Sequence, residues 1–388
     1  ATVFLGFSSA TQDIVIDAYR IESAKASIQA LLASGYIAGY RVGMLISGAG
    51  ALILAESLGS TKEVYLYEAW QFTYYAMSAT ILIGVMTTLI IREPKNQITY
   101  SNHSNKAYVN FFLIFVALLA IFIISYVNLL PLSIAVKNQL TVLLNNKPLA
   151  SFLIETVLIL TSATIAIIVG KILDTLKLVD KSLFRENYYL PVKDFFDRYG
   201  KSLALMLLLF IGFYRVSDIV LGVIANVFYL EMGYSKHEIA AIAKTYGLIM
   251  MIGGGFFGGV LTVRYGVIKI LFLGAFLTVA TNLLFILLAL AGYNTALLTM
   301  VISADNFTAG LASAAFIAFL SSLTNVSFTA VQYAIFSSLM TLLPKIIGGY
   351  SGSMVENIGY TNFFIISSLM GVPILWLIFI LNKKLKLN

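Results

Sequence analysis

The sequence predicts an all-α integral membrane protein, because of its composition and its long apolar runs. Of 388 residues, 60% are hydrophobic and 11% are charged, and the mean hydropathy is +0.92. A soluble globular protein carries about 25% charged residues, so this chain cannot cover its apolar surface with its own polar groups. The apolar runs reach the roughly 20 residues that a helix needs to cross a bilayer, and they lack the alternation of a membrane β-barrel.

Eleven of these runs are long enough to be membrane-spanning helices, in groups of three, two and six along the chain. Residues 1–91 are predicted to form three spans of an amino-terminal bundle. Residues 92–201 are predicted to form two additional spans and a cytoplasmic amphipathic linker, and residues 202–388 a six-helix bundle. Three further helices before Ala1 would complete two six-helix bundles, and we expect those three to be absent. The predicted spans are 1–21, 30–56, 68–91, 107–130, 150–173, 202–229, 239–261, 267–291, 297–321, 328–350 and 361–381.

Basic residues are distributed unevenly over the segments that join the spans. If the first span ends in the cytoplasm, cytoplasmic segments hold 17 Lys and Arg residues and outer segments hold five. Because Lys and Arg are retained on the cytoplasmic side of membranes, the carboxyl terminus is predicted to be cytoplasmic. The net charge of +7 then reflects topology, and we expect no nucleic-acid partner. With no cysteine and only two histidines, we also expect no metal site and no cofactor.

The first span contains the densest set of polar side chains, in the stretch SSATQDIVIDAYRIE. A charge at the centre of a spanning helix costs about 2.5–3.5 kcal/mol, so each such group is a candidate for function. Asp13 and Asp17 are four residues apart and share one helical face. Arg20 continues that face, and Gln12 flanks it. The alternative for Asp17 and Arg20 is that they snorkel at the inner membrane boundary.

Arg41 is a charge in the second span, within the small-residue stretch GYRVG. A hairpin that turns near Ser27 places Asp13 and Arg41 each fourteen residues from the turn, and therefore at similar depth. We predict an ion pair between these two side chains, which protonation of Asp13 would release. The alternative is a static pair that only fixes helix packing.

The sixth span carries Arg215 and Asp218 three residues apart, a spacing that allows them to pair within one helix. Such a pair either neutralises itself or lines a cavity, and the cost of two intramembrane charges favours the cavity. Lys244 opens the seventh span and either lines the cavity or snorkels outward. Three further polar residues are either cavity-lining or helix-packing groups: Asp305, Asn306 and Gln332.

The stretch GGVLTVRYGVIK resembles the second copy of the loop signature of the major facilitator superfamily, G-x-x-x-D-R-x-G-x-x-K. The matching residues are Gly259, Arg264, Gly266 and Lys269. Val263 stands where the signature has an acidic residue, so a salt bridge from that position is not expected here. The resemblance implies that these residues form the loop that moves when the bundles change conformation.

A closer resemblance, over nearly all of the chain except the middle insertion and linker, is to the AmpG-type muropeptide permeases. The acetyl-CoA transporters of the same superfamily are more remotely similar. The run Gln12-Asp13 with Asp17 is the most specific part of the resemblance. The stretch YRVSDIVLGVIANVFYLEMGYSKHEIAAIAKTYGLI is similar too, and Arg215, Asp218 and Lys244 within it match the family. Gln332, in the later similar stretch DNFTAGLASAAFIAFLSSLTNVSFTAVQYAIFSSL, also matches. By this resemblance, the first span here is the fourth of the family, and the two additional spans are a family feature.

The resemblance implies proton-coupled import of anhydro-muropeptides, the sugar-peptide fragments of cell-wall turnover, by a multi-pass protein of the bacterial inner membrane. The expected partners are this small-molecule substrate and the lipid bilayer, and we expect a monomer. One alternative is the same fold carrying another metabolite, such as a nucleotide-like ester or a drug. Another is an inactive truncated permease.

A membrane-embedded enzyme is a further alternative of a different class. It would need clustered His, Asp or Glu residues near an interfacial loop. The largest loop, 174–201, has acidic residues but no histidine and no metal-binding spacing. A channel is a last alternative, but the sequence contains no repeated carbonyl-filter motif. We therefore expect a transporter and not an enzyme.

Overall fold

The computed structural model describes residues 2–60, 64–94, 103–175 and 181–385. These residues form helices joined by short turns. Segments of π-helix join α2 to α3, α7 to α8 and α10 to α11. The helices are α1 Thr2–Glu22, α2 Gln29–Leu45, α3 Ala51–Ser57, α4 Tyr67–Ile90, α5 Asn105–Leu144, α6 Lys147–Thr175, α7 Lys181–Phe184, α8 Leu190–Phe213, α9 Val216–Glu231, α10 Lys236–Glu238, α11 Gly247–Tyr265, α12 Val267–Ala291, α13 Thr295–Leu323, α14 Thr329–Gly348, α15 Ser351–Leu369 and α16 Val372–Lys384.

Ten helical runs within the described residues are long and apolar enough to cross a membrane. They correspond to the second through eleventh predicted spans, so the prediction of an all-α integral membrane protein is confirmed. The first predicted span is helical as α1 but is not among these ten. The physical reason is its polar content, since Gln12, Asp13 and Asp17 lower the apolarity of an otherwise hydrophobic helix.

Helix α5 differs from its prediction in length. The predicted span is 107–130, and Pro131 follows it directly. In the structure α5 continues through Pro131 to Leu144, a total of 40 residues. The helix therefore extends well beyond the end of the predicted span. Proline within a spanning helix is tolerated where neighbouring groups satisfy the freed carbonyl.

Two predicted spans are interrupted rather than continuous. The span 202–229 is divided at Tyr214 and Arg215, between α8 and α9. The span 361–381 is divided between α15 and α16. Interrupted spanning helices are characteristic of secondary transporters, where they place polar groups near the middle of the membrane.

The chain divides into two compact units, which we describe separately. Unit 1 comprises residues 1–96 and 202–388, and unit 2 comprises residues 97–201. In unit 2, α5 and α6 pack as an antiparallel hairpin. Asn145 ends α5 in the left-handed conformation, and the Asn146 side chain accepts a hydrogen bond from the backbone N–H of Leu149 near the start of α6. The sequence boundaries predicted at residues 91 and 201 remain predictions.

The centre of unit 1 is the packing of α11 on α13. A Cβ atom added at Gly254 would overlap the backbone carbonyl of Phe307, and one at Gly310 would overlap that of Met251. Only glycine allows the two helix backbones to approach this closely, as is usual where helices associate in lipid. Helix α13 is buried along most of its length, and it packs on α2, α11, α12 and α14.

Candidate functional site

A cluster of buried polar side chains lies in unit 1, close to the turn between α1 and α2. We call it the closed cluster: Asp17, Arg20, Gln29 and Ser321. Arg20 Nη2 donates to Asp17 Oδ1 at 3.2 Å, and Arg20 Nη1 donates to Ser321 Oγ at 2.9 Å. The Arg20 side chain is 6% exposed and that of Asp17 is 12% exposed. The guanidinium therefore joins α1 to α13 inside the protein.

Gln29 and two aromatic rings complete the surroundings of Arg20. Gln29 Oε1 accepts from Arg20 Nη1 at 3.4 Å, and Gln29 Nε2 donates to the backbone carbonyl of Ile21 at 2.9 Å. Gln29 thus ties the first turn of α2 to the last turn of α1. The guanidinium carbon of Arg20 lies 5.2 Å from the centre of the Tyr333 ring and 5.8 Å from that of Tyr36. Cation–π contacts of this kind stabilise a desolvated arginine.

Helix α2 is held to α11 at the same end of unit 1. Ser34 Oγ donates to the backbone carbonyl of Gly255 at 2.8 Å. A Cβ atom added at Gly259 would overlap Ser34 Oγ and lie 3.0 Å from the carbonyl oxygen of Ala30. Gly259, the first residue of the loop signature, therefore permits the close approach of α2 and α11.

The other residues of the loop signature lie at the turn between α11 and α12. Gly266 has a φ of +90°, a conformation that favours glycine, and it directly precedes the first residue of α12. Arg264 and Lys269 are exposed, and the Arg264 guanidinium lies 5.3 Å from the ring centre of Tyr265. Val263, at the position of the missing acidic residue, is also exposed.

Burial along α2 changes sharply near its middle. Its buried residues are Gln29, Ala30, Ala33, Ser34 and Ile37, which form one helical face. The same face continues to Met44, two turns after Ile37, but Met44 is 48% exposed whereas Ile37 is 6% exposed. Helix α1 behaves alike, since Asp17 is buried while Asp13, one turn away on the same face, is exposed. The α1–α2 pair thus contacts the rest of unit 1 at one end, the closed end, and stands clear of it at the other, the open end.

Three charged side chains form a second cluster, the open cluster, farther from the α1–α2 turn: Arg41, Arg215 and Asp218. Arg215 Nη2 donates to Asp218 Oδ2 at 2.5 Å, and their side chains are 25% and 26% exposed. Arg41 is half-buried and interacts electrostatically with both of them. Arg215 and Asp218 are positioned by the interruption between α8 and α9, because Arg215 precedes the first residue of α9.

The predicted ion pair between Asp13 and Arg41 does not form between these two described residues. Asp13 interacts electrostatically with Asp17, and Arg41 with Arg215 and Asp218. The reason is that α1 and α2 do not pack face to face as a hairpin: α1 packs chiefly on α14, and α2 on α11 and α13. The two helices diverge above their turn, so equal distance from the turn does not bring the side chains together.

Asp305, a further sequence candidate, interacts electrostatically with Asp218 of the open cluster.

Three other sequence candidates belong to neither cluster. Lys244 is exposed, within the π-helical segment Ile239–Tyr246. Gln332 is buried, and its Oε1 accepts from the backbone N–H of Asn325 at 2.8 Å, so it fixes the turn between α13 and α14. Gln12 is exposed beside Asp13 on α1. The predicted proton-coupling and substrate-binding roles of these residues remain predictions.

Sequence reasoning missed Gln29, Ser34, Ser321 and Tyr333. Each is of a type that is common in membrane helices, and none lies in a motif that distinguishes it from a packing residue. Ser321 is 301 residues from Arg20 along the chain, so no local pattern could have joined them. The one available signal was the charge of Arg20, because a buried guanidinium requires several acceptors.

The chain is similar to proteins of Rickettsia that are named as AmpG transporters. It is 30% identical to AmpG 4 of Rickettsia conorii over 383 residues, which cover 99% of this chain and 72% of the relative. It is 28% identical to AmpG 1 of Rickettsia felis over 389 residues, covering 99% and 75%. With AmpG 3 of Rickettsia typhi the identity is 25% over 382 residues, covering 98% and 71%. No protein-family model matches the chain.

These similarities extend over nearly the whole chain, and they agree with the fold. The relatives' names describe transporters, and the ten apolar helices found among the described residues are those of a multi-pass membrane protein. A membrane transporter binds a small-molecule substrate and the lipid bilayer. The chain therefore belongs to the AmpG-type permease family, with the all-α helix-bundle fold of the major facilitator superfamily.

Proposed function

We propose that the protein is a secondary active transporter that imports anhydro-muropeptides across the bacterial inner membrane together with protons. The observation that carries this proposal is the contrast between the two ends of unit 1. Helices α1 and α2 are joined to α11 and α13 at the closed end and stand clear at the open end. Alternating access requires a state that is closed on one side of the substrate site and open on the other.

The open cluster supports binding of a charged, polar substrate. Arg41 and Arg215 supply two guanidinium groups, each able to hold a carboxylate through paired hydrogen bonds. A peptide fragment carries carboxylates, which fits the sugar-peptide class of substrate. In this role Asp218 orients Arg215 through their hydrogen bond of 2.5 Å. The predicted cytoplasmic position of the α1–α2 turn would make the present state open to the periplasm.

Asp13 is the carboxylate that we assign to proton coupling. Asp17 is held by Arg20 in the closed cluster. Asp13 lies one helical turn away on the same face and forms no ion pair with any described residue. A carboxylate that faces an opening and lacks a cationic partner can exchange protons with water as the opening changes sides. Protonation would remove its repulsion of Asp17 and favour rearrangement at the closed end.

Uptake into proteoliposomes tests the proposal. Labelled anhydro-muropeptide is added with and without an imposed proton gradient, and we expect accumulation only with the gradient. In Asp13→Asn the gradient no longer drives accumulation, whereas exchange of labelled for unlabelled substrate continues. The matched control is Glu155→Gln in unit 2, which removes an acid that faces Lys137 at 3.9 Å and leaves uptake unchanged.

The uptake measurements distinguish the proposed coupling residue, the proposed substrate and the proposed transport activity from one another. Gradient-driven uptake by Asp13→Asn at the unaltered rate would exclude Asp13 as the coupling group. Gradient-driven uptake of a nucleotide-like ester or a drug, without uptake of the muropeptide, would replace the substrate. Absence of both uptake and exchange by the unaltered chain would overturn the proposal as a whole.

A further inference from the structure

Unit 2 contains a groove that the proposed transport does not use. It has a volume of about 750 Å³ and lies between α5, α6 and the segment from Phe184 to Tyr189. Most of its lining is aliphatic or aromatic, including Phe111, Phe115, Leu118, Ala166 and Ile167. The volume is in the range of roughly 300–1,000 Å³ that is usual for sites of small molecules.

Two cations border this apolar groove at one end of the α5–α6 hairpin. Lys171 lies in the last turn and a half of α6, and Arg185 begins the π-helical segment that follows α7. Both side chains are exposed. Among the described residues, neither cation forms an ion pair with a carboxylate, and this includes Asp174, which also lines the groove. Phe111, near the start of α5, lies at the same end of the hairpin, with its ring centre 5.8 Å from that of Tyr188.

An apolar groove with cations and tyrosines at its mouth matches the two parts of a phospholipid. Acyl chains fill an aliphatic and aromatic groove, and a phosphodiester binds arginine and lysine at the membrane boundary. A sugar-peptide would instead require polar groups along the groove, and its described lining has them only at the mouth. The predicted topology places Lys171 and Arg185 on the cytoplasmic side, where anionic lipids are recognised by basic residues.

We propose that unit 2 binds one anionic phospholipid, with an acyl chain along α5 and α6 and its phosphate at Lys171 and Arg185. Native mass spectrometry of the purified full chain tests this, with phosphatidylglycerol and phosphatidylcholine of identical acyl chains as probes. We expect several-fold greater retention of phosphatidylglycerol. The double variant Lys171→Gln/Arg185→Gln loses this preference. The matched control Lys193→Gln/Lys201→Gln removes two charges from the same unit outside the groove and keeps it.

A second variant tests the apolar part of the groove. Ala166→Trp places an indole among the lining residues, and we expect it to lower retention of both lipids while the helical circular dichroism is unchanged. Equal retention of the two lipids by the unaltered chain would overturn the proposal. If the control variant also lost the preference for phosphatidylglycerol, general surface charge would explain the retention, and the proposal would be overturned. It would likewise be overturned if a free fatty acid were retained as well as phosphatidylglycerol, because the groove would then bind single-chain anions.

Discussion

Two ion pairs in unit 1 have the same spacing along the chain but opposite surroundings. Asp17 and Arg20, and Arg215 and Asp218, are each three residues apart. The side chains of the first pair are 12% and 6% exposed, and those of the second are 25% and 26% exposed. The first pair reaches helices that are distant in the sequence, whereas the second pair bonds chiefly within its own turn.

The spacing of two opposite charges along a helix therefore predicts that they pair, but it does not predict the role of the pair. Arg20 also donates hydrogen bonds to Ser321 and Gln29. Breaking these hydrogen bonds therefore requires α1 to separate from α13 and α2. The Arg215–Asp218 pair lies beside an opening, with Arg41 as a charged neighbour. The first arrangement is suited to holding helices together, and the second to binding a ligand.

The largest expected effect is on the closed cluster. Arg20→Gln leaves the carboxylate of Asp17 buried without its cation, which for a buried pair costs about 3–5 kcal/mol. The matched change Arg215→Gln removes the same charge from a partly exposed pair and costs about 0–1 kcal/mol. Denaturant unfolding in detergent, followed by circular dichroism, measures both. Equal decreases in the free energy of unfolding of the two variants would contradict the distinction between the closed and open clusters.

A smaller effect is expected from a methyl group at the contact of α2 with α11. Gly259→Ala overlaps the Ser34 hydroxyl, and such overpacking costs roughly 1–3 kcal/mol or moves α2 away. The matched control is Gly253→Ala on the same helix, where an added Cβ meets no atom within 4 Å. The free energy of unfolding should fall in the first variant and stay equal or rise in the second. Since Ala favours a helix more than Gly does, a loss of the same size in Gly253→Ala would show that the contact with α2 is not the cause.

The smallest expected effect comes from single cysteine substitutions, which test whether water reaches the open end. The chain has no cysteine, so Ile37→Cys and Met44→Cys each introduce a single thiol on one face of α2. Ile37 packs on Ala314 and Ile317, and Met44 is exposed. A water-soluble maleimide should label Met44→Cys several-fold faster, and Gly259→Ala should accelerate labelling of Ile37→Cys. Absence of labelling at Met44→Cys would place that position in lipid and not in an opening.

Much of the fold followed from apolar run length, because a helix that crosses lipid must satisfy its own backbone. In the part of the chain that the structure describes, ten apolar helices lie where such runs predict them. The exceptions have local physical causes: α5 continues through Pro131, and the spans near Arg215 and Leu369 are interrupted. Run length responds to average apolarity, so it cannot detect a tolerated proline or a single turn of irregular backbone.

Composition and apolar run length were sufficient to predict that the chain spans a membrane with helices, and that charges within these helices need partners. The sequence could also place Arg215 beside Asp218, since both lie on one helical turn. The packing of the helices was needed to find that Arg20 contacts Ser321, and that Asp13 and Arg41 do not form an ion pair. The reason is that helix formation depends on neighbours in the chain, whereas contacts between helices depend on crossing angle and on where glycine permits close approach.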